Sequence, residues 1–249
     1  MKRYKIVCQY DGSNFYGWQS QKDKRTVQGD LQLAITKLNK GKLVQIIGSG
    51  RTDTGVHALG QTAHFDLDTK LECDRLKNAI NGNLNEDCYV KSIEIVNDQF
   101  HARFSAIRRE YIYSCSQIRN LLDRHRVWYT NKLDILSLNN AAKLIMGEHD
   151  FLSFSKKNPQ INNTICNIYQ SEWKKSGEIV NYHISGNRFL HHMVRYLVGS
   201  MVAINQGKYS IEQLNKELNN PKSNSKQFKA PALGLLLNHI VYELSLIHI

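Results

Sequence analysis

A chain of 249 residues, 41% of them hydrophobic, buries an ordinary core, either as one large domain or as two of about 110 to 140 residues each. Lys and Arg outnumber Asp and Glu by 33 to 22, and this net +11 points to a polyanionic partner such as nucleic acid, while no apolar run approaches the ~18 residues of a membrane span. The five cysteines are odd in number, far apart and free of any CxxC, which argues against a disulfide framework and against a zinc site.

Residues 3–10 alternate as a strand, beginning directly after MK with no signal-peptide apolar core, so a soluble, cytoplasmic protein is expected. Thr26 caps a helix whose apolar face is Val27, Leu31, Ala34, Ile35 and Leu38. Leu43 to Ile47 predicts a second strand, which delivers the loop Gly48 to Gln61, GSGRTDTGVHALGQ. Strands follow at Gln61 to Phe65 and Tyr89 to Val96, around a short helix near Asp74 to Ile80. A second set has strands near Glu110 to Ser116, Ile165 to Lys174, Glu178 to Ser185 and Leu236 to Leu244. Its helices lie near Leu138 to Met146, Phe189 to Asn205 and, behind a Ser210–Gln213 capping box, up to Leu218. The interleaving predicts an α+β fold of two similar domains, 1–107 and 108–249, each an antiparallel sheet with helices on one face. Charge is uneven between them: residues 1–107 hold 15 basic and 12 acidic residues, and 108–249 hold 18 and 10. The second domain therefore supplies more of the expected phosphate contact.

The loop isolates one carboxylate, Asp53, among Gly48, Gly50, Gly55 and Gly60, which let backbone take positive φ and approach a bulky ligand. Arg51, two residues earlier, would hold that acid ionised. A lone Asp so placed is a candidate nucleophile or base, although Asp and Gly after a strand are also ordinary turn chemistry. The loop lacks the Lys-Ser/Thr of a P-loop. Asp53-Thr54-Gly55 spells the DTG of aspartic proteases, but one copy could form the required pair only in a homodimer.

Several motifs in order resemble the tRNA pseudouridine synthase A family over nearly the whole chain. They are YDGSNFYGWQSQ (Tyr10 to Gln21), TVQ (Thr26 to Gln28), the Asp53 loop, FHARFSAIRREYIY (Phe100 to Tyr113), GEHDF (Gly147 to Phe151), GNRFLHHMVRYLVG (Gly186 to Gly199) and APALGL (Ala230 to Leu235). The resemblance implies conversion of uridine to pseudouridine at positions 38, 39 and 40 in the anticodon stem-loop of tRNA, without metal or cofactor. It also implies a homodimer and a central RNA-binding cleft between the domains. By the same resemblance Asp53, Tyr111 and Arg195 are catalytic, Arg51 serves base flipping and phosphate binding, and Arg109, beside Tyr111 in the same Arg-x-Tyr, joins Arg51 and Tyr111 in binding substrate. Asn85 stands where the family usually has proline, and Leu233 where a polar residue is commoner; neither touches the catalytic set.

The residues fit that chemistry independently. The reaction breaks the ribose C1′–N1 bond and makes one to C5, so it needs a carboxylate at the sugar and a pocket that retains the loose uracil. An aromatic face such as Tyr111 can stack on that ring, though a strand tyrosine two residues before Tyr113 is as readily core. Arg195 lies near the edge of a helix face made by Phe189, Met193, Tyr196 and Leu197. His191 and His192, adjacent on that expected helix, would point to different sides and could not share a metal. Phe15, Tyr16 and Trp18 are expected to be structural. Three rivals stay open: a dimeric aspartic protease, a non-catalytic RNA-binding protein, and a synthase acting on another RNA.

Overall fold

The computed structural model describes residues 1–157, 163–223 and 228–243. In chain order the first elements are β1 (Lys2–Tyr10), α1 (Val27–Leu38), β2 (Ile47–Gly48), β3 (His57–Leu67), α2 (Cys73–Asn81) and β4 (Cys88–Val96). Then come β5 (Ala106–Ser116), β6 (Trp128–Tyr129), α3 (Ile135–Lys143), β7 (Gly147–Asp150), β8 (Ile165–Ser176) and β9 (Ile179–Gly186). The last are α4 (Met193–Asn205), α5 (Ile211–Asn219) and β10 (Leu235–Tyr242). The mixed α+β class is as expected. The last six residues of the chain, LSLIHI, lie outside the described residues, so the strand expectation is met only as far as Tyr242.

The chain forms two compact units: Met1–Arg108 together with the chain from Leu236, and Arg109–Leu235. A division at 107/108 leaves the closing strand with the second unit, whereas β10 lies parallel to β3, with Leu236 opposite His57 and Leu237 opposite Ala58. Two further ties hold it there. The Tyr242 hydroxyl donates to the Ala102 carbonyl at 2.7 Å, and a Cβ at Gly60 would lie 2.4 Å from the Asn238 carbonyl oxygen.

The first unit is built on β1, which pairs antiparallel with β3 on one side and β4 on the other. Tyr4, Ile6, Cys8 and Tyr10 of β1 are buried, as the alternation requires, and Tyr4 stacks on Phe65 of β3 at 5.6 Å. Helix α2 packs on β4, and α1 on α2. Thr26 caps α1 as expected, its side chain accepting from the Gly29 amide. The expected strand from Leu43 shrinks to Ile47–Gly48, opposite His64 and Ala63. Val44 and Ile46 are buried and their neighbours are not, so the sidedness is that of a strand. Side chains of α1 take the backbone groups instead: the Val44 amide donates to Thr36 Oγ1, and Gln28 Nε2 donates to the Ile46 carbonyl.

His64 of β3 is 3% exposed, and its Nδ1 accepts from the Ala102 amide at 3.1 Å. Burial, with the charges of His101 and Arg3 adding to it against Asp66, pushes this imidazole down to about 4 from an ordinary 6.5. The folded chain therefore binds fewer protons here than the unfolded chain once pH drops below 6.5. The stabilisation is whole above pH 6.5 and is lost as pH falls towards 4. Thermal melts from pH 7.5 to 4.5 should show a declining melting temperature in the parent and a flatter profile in His64→Gln; parallel profiles would refute this account.

The second unit orders its strands β5-β9-β8-β7, antiparallel throughout, with β6 added parallel to β5 at Cys115–Trp128 and Ser116–Tyr129. The parallel pairings β3–β10 and β5–β6 depart from the antiparallel expectation. Asn139 of α3 clamps the backbone of Trp173, accepting from its amide at 2.9 Å and donating to its carbonyl at 3.0 Å. Trp173 packs on Tyr182 at 4.9 Å, and its indole N–H donates to Met201 Sδ of α4. Helix α5 opens with the expected capping box between Ser210 and Gln213. The cysteines are free and all but Cys73 are buried; burial pushes the Cys88 thiol up to about 12.

Candidate active site

Residues 49–56 connect β2 to β3, and this loop, which carries Asp53, is tied to β3 at its start. The Ser49 amide donates to the Thr62 carbonyl at 2.8 Å, its hydroxyl to Gln61 Oε1 at 2.7 Å, and Gln61 Nε2 to the Gly50 carbonyl at 3.0 Å. The segment Tyr10 to Trp18 supports the middle. Trp18 donates its amide to the Thr52 carbonyl at 3.1 Å, and the hydroxyls of Tyr10 and Thr52 lie 2.9 Å apart. Gly17 has φ +86°, and a Cβ there would lie 2.6 Å from the Thr52 carbonyl oxygen and 3.1 Å from the Asp53 carbonyl carbon. Only glycine permits both that backbone angle and that approach.

The YDGSNFYGW segment thus acts as the underside of the Asp53 loop. Phe15 and Trp18 are buried as expected, whereas Tyr16 is 49% exposed with Lys24 Nζ over its ring at 4.8 Å. Arg25 secures the segment, forking onto the Asp87 carboxylate at 2.6 and 2.7 Å while covering the Phe15 ring at 4.2 Å. The glycines of the Asp53 loop serve a different purpose from the one expected. Of the four, only Gly55 takes positive φ, and the space at Gly48 is filled by the Trp18 indole rather than left for a ligand. Asp53 itself is half-buried and Arg51 exposed.

In the second unit, Arg109 and Tyr111 lie on β5 opposite Gly186 and Ile184 of β9. Tyr111 and Tyr113 share a face, as strand parity dictates, but they differ in burial: Tyr113 is fully buried with its hydroxyl donating to the Pro231 carbonyl at 2.8 Å, and Tyr111 is half-buried. The turn after β9 engages both candidates. Arg109 Nη1 donates to the Asn187 carbonyl at 2.6 Å, and Phe189 meets the Tyr111 ring edge-on at 5.2 Å. Sequence reasoning had missed Phe189 in this role, because it placed that residue on a helix.

Helix α4 begins four residues later than expected, at Met193, because His192 sits in the left-handed region at φ 67° and stops the helix there. His191 and His192 are therefore not on opposite sides of a helix; their rings lie 4.0 Å apart. Arg195 exchanges hydrogen bonds with Ala230: its Nε donates to the Ala230 carbonyl at 2.9 Å, and the Ala230 amide donates back to the Arg195 carbonyl at 3.0 Å. The RYLVG and APALGL motifs are thus tied to each other through Arg195. Within this unit Arg109 and Tyr111 share the 187–189 turn, while Arg195 is anchored separately.

A family model described as tRNA pseudouridine synthase matches residues 6–105 and 141–243. The chain belongs to the tRNA pseudouridine synthase family. Curated relatives named tRNA pseudouridine synthase A match nearly the whole chain. The one from Geobacillus sp. (strain WCH70) is 37% identical, with 97% of this chain and 99% of the relative covered. The one from Dictyoglomus thermophilum is 41% identical, with 97% and 100% covered. Asp53, Arg51 and Arg195 fall inside the stretches matched to the tRNA pseudouridine synthase model; Arg109 and Tyr111 fall in the interval between them.

Proposed function

We propose that this enzyme converts uridine to pseudouridine at positions 38, 39 and 40 of the tRNA anticodon stem-loop. Family membership supports the reaction class, and the observation that carries the site is the Asp53 loop, which the segment Tyr10 to Trp18 is shaped to hold. The conversion is an isomerisation: the C1′–N1 bond breaks, a C1′–C5 bond forms, and the C5 proton leaves to solvent. Asp53 supplies the carboxylate, either attacking as nucleophile or taking the C2′ proton. Tyr111, its ring set by Phe189, offers a face for the released uracil and a hydroxyl for the C5 proton. Arg195 partners the carboxylate, and Arg51 and Arg109 bind the RNA and its flipped nucleotide.

On this reading both units serve one uridine in an RNA-binding cleft, and the enzyme is a cytoplasmic homodimer; the support for these points is the family. No helix among the described residues is long and apolar enough to cross a membrane. The test is tritium release from transcripts labelled at uracil C5. Release is expected from tRNAs carrying uridine at 38, 39 or 40 and absent when all three are replaced by cytidine. Release that persists after that replacement would relocate the target to another site in RNA.

A further inference from the structure

The turn from His101 to Ser105 is held from every side, yet nothing in the reaction described above uses it. Ala102 is clamped at both ends, its amide donating to His64 Nδ1 at 3.1 Å and its carbonyl accepting from the Tyr242 hydroxyl at 2.7 Å. The amides of Arg103 and Phe104 both donate to His101 Nδ1 at 3.2 Å. The ends close on each other: the His101 amide donates to Ser105 Oγ at 3.0 Å and the Ser105 amide to the His101 carbonyl at 2.9 Å. Accepting two amides requires a neutral imidazole, and burial, with the charges of Arg3 and Arg103, pushes His101 down in that direction.

A turn so constrained displays two side chains outward. Phe104 is 76% exposed, and Arg103 is exposed beside it with its guanidinium 5.5 Å from the ring centroid. The His101 ring stacks on Phe104 at 4.3 Å and 30°, which fixes the plane of the phenyl group. A large apolar ring left in water is unfavourable, and hydrogen bonds that hold it rigid keep it from folding back. An exposed ring with a cation over it, on a chain of net charge +11, matches an unpaired base and its adjoining phosphate, the base taking the place of the guanidinium on the ring.

We propose that Phe104 is a stacking platform for an unpaired base of the RNA substrate, oriented by the 101–105 turn, with Arg103 against the neighbouring phosphate. The inference rests on the function proposed above and adds to it a specific RNA-contacting surface. Phe104 binds and positions RNA; the bond-making chemistry stays with Asp53.

The experiment compares the full-length parent with Phe104→Ala, Phe104→Leu and Phe104→Tyr by filter binding to an unmodified tRNA transcript at fixed salt, with tritium release measured alongside. Phe104→Ala and Phe104→Leu should each raise Kd and KM about tenfold with kcat unchanged, while Phe104→Tyr stays within about twofold of the parent. Melting temperatures should not move, because the residue is exposed. Unchanged binding in Phe104→Ala, binding by Phe104→Leu as tight as by Phe104→Tyr, or equal losses in all three would overturn the stacking role. A parent that binds tRNA but releases no tritium would defeat the proposed function, whereas the ordering of the Phe104 variants in binding reads the platform separately.

Discussion

Asp53→Ala should lower tritium release by at least about 10³-fold while leaving the Kd for tRNA within about threefold of the parent. The two halves of this result have different physical origins. On the proposed mechanism turnover depends on one carboxylate at the reacting sugar, and no other acidic side chain lies in residues 49–56 to replace it. Affinity depends on many phosphate contacts distributed over a basic surface, to which a single acid contributes little. Folding should survive the change. The loop is fixed through Ser49, Gly50, Thr52 and their partners Thr62, Gln61, Tyr10 and Trp18, none of which is altered. Asp53→Asn, which keeps the volume and removes the charge, should be as inactive. If either variant lost affinity and melting temperature together, Asp53 would be a structural residue and the assignment of the carboxylate would fail.

Gly199→Ala should destabilise the protein by more than about 4 kcal/mol or abolish soluble expression, an effect at the far end of what one methyl group does. A Cβ at this position in α4 would lie 1.8 Å from the Phe228 carbonyl oxygen and 2.9 Å from the Ala230 amide nitrogen, all of it backbone that no rotamer change can move away. Relief requires α4 to separate from the segment 228–230 beside it, and Arg195 is bonded to Ala230 on that same segment. Whatever folded fraction remains should therefore also turn over slowly. Gly82→Ala is the control: the nearest atom to its added Cβ would be 3.4 Å away, and Gly82 already has ordinary right-handed backbone angles. It should change stability by no more than about 1 kcal/mol. Similar melting curves for the two variants would mean that α4 is free to shift.

What could be read from the sequence was the chemistry that acts over a few residues. Thr26 and the Ser210–Gln213 pair announced helix starts because a cap is a bond between near neighbours. Asp53 stood out because glycines surrounded it, although the structure gives two of them, Gly48 and Gly60, to packing against Trp18 and Asn238. The failures occurred where a distant partner decides. Leu43 to Ile47 alternates like a strand, yet side chains of α1 satisfy its backbone. Phe189 looked helical because its spacing to Met193 and Leu197 is right, and only the left-handed His192 reveals the break. The parallel seating of β10 beside β3 joins residues some 180 positions apart, a pairing that no local pattern encodes.

That seating of β10 also sets an order of assembly. The unit from Arg109 to Leu235 is one uninterrupted stretch, so all of its own residues have been synthesised before β10 appears. The unit bearing Asp53 is begun first and completed last: until Leu236 and the residues after it emerge, His57 and Ala58 lack their ladder partners and the Ala102 carbonyl lacks the Tyr242 hydroxyl. During translation the unit bearing Asp53 waits with an open sheet edge, which exposes the nascent chain to misassociation at β3.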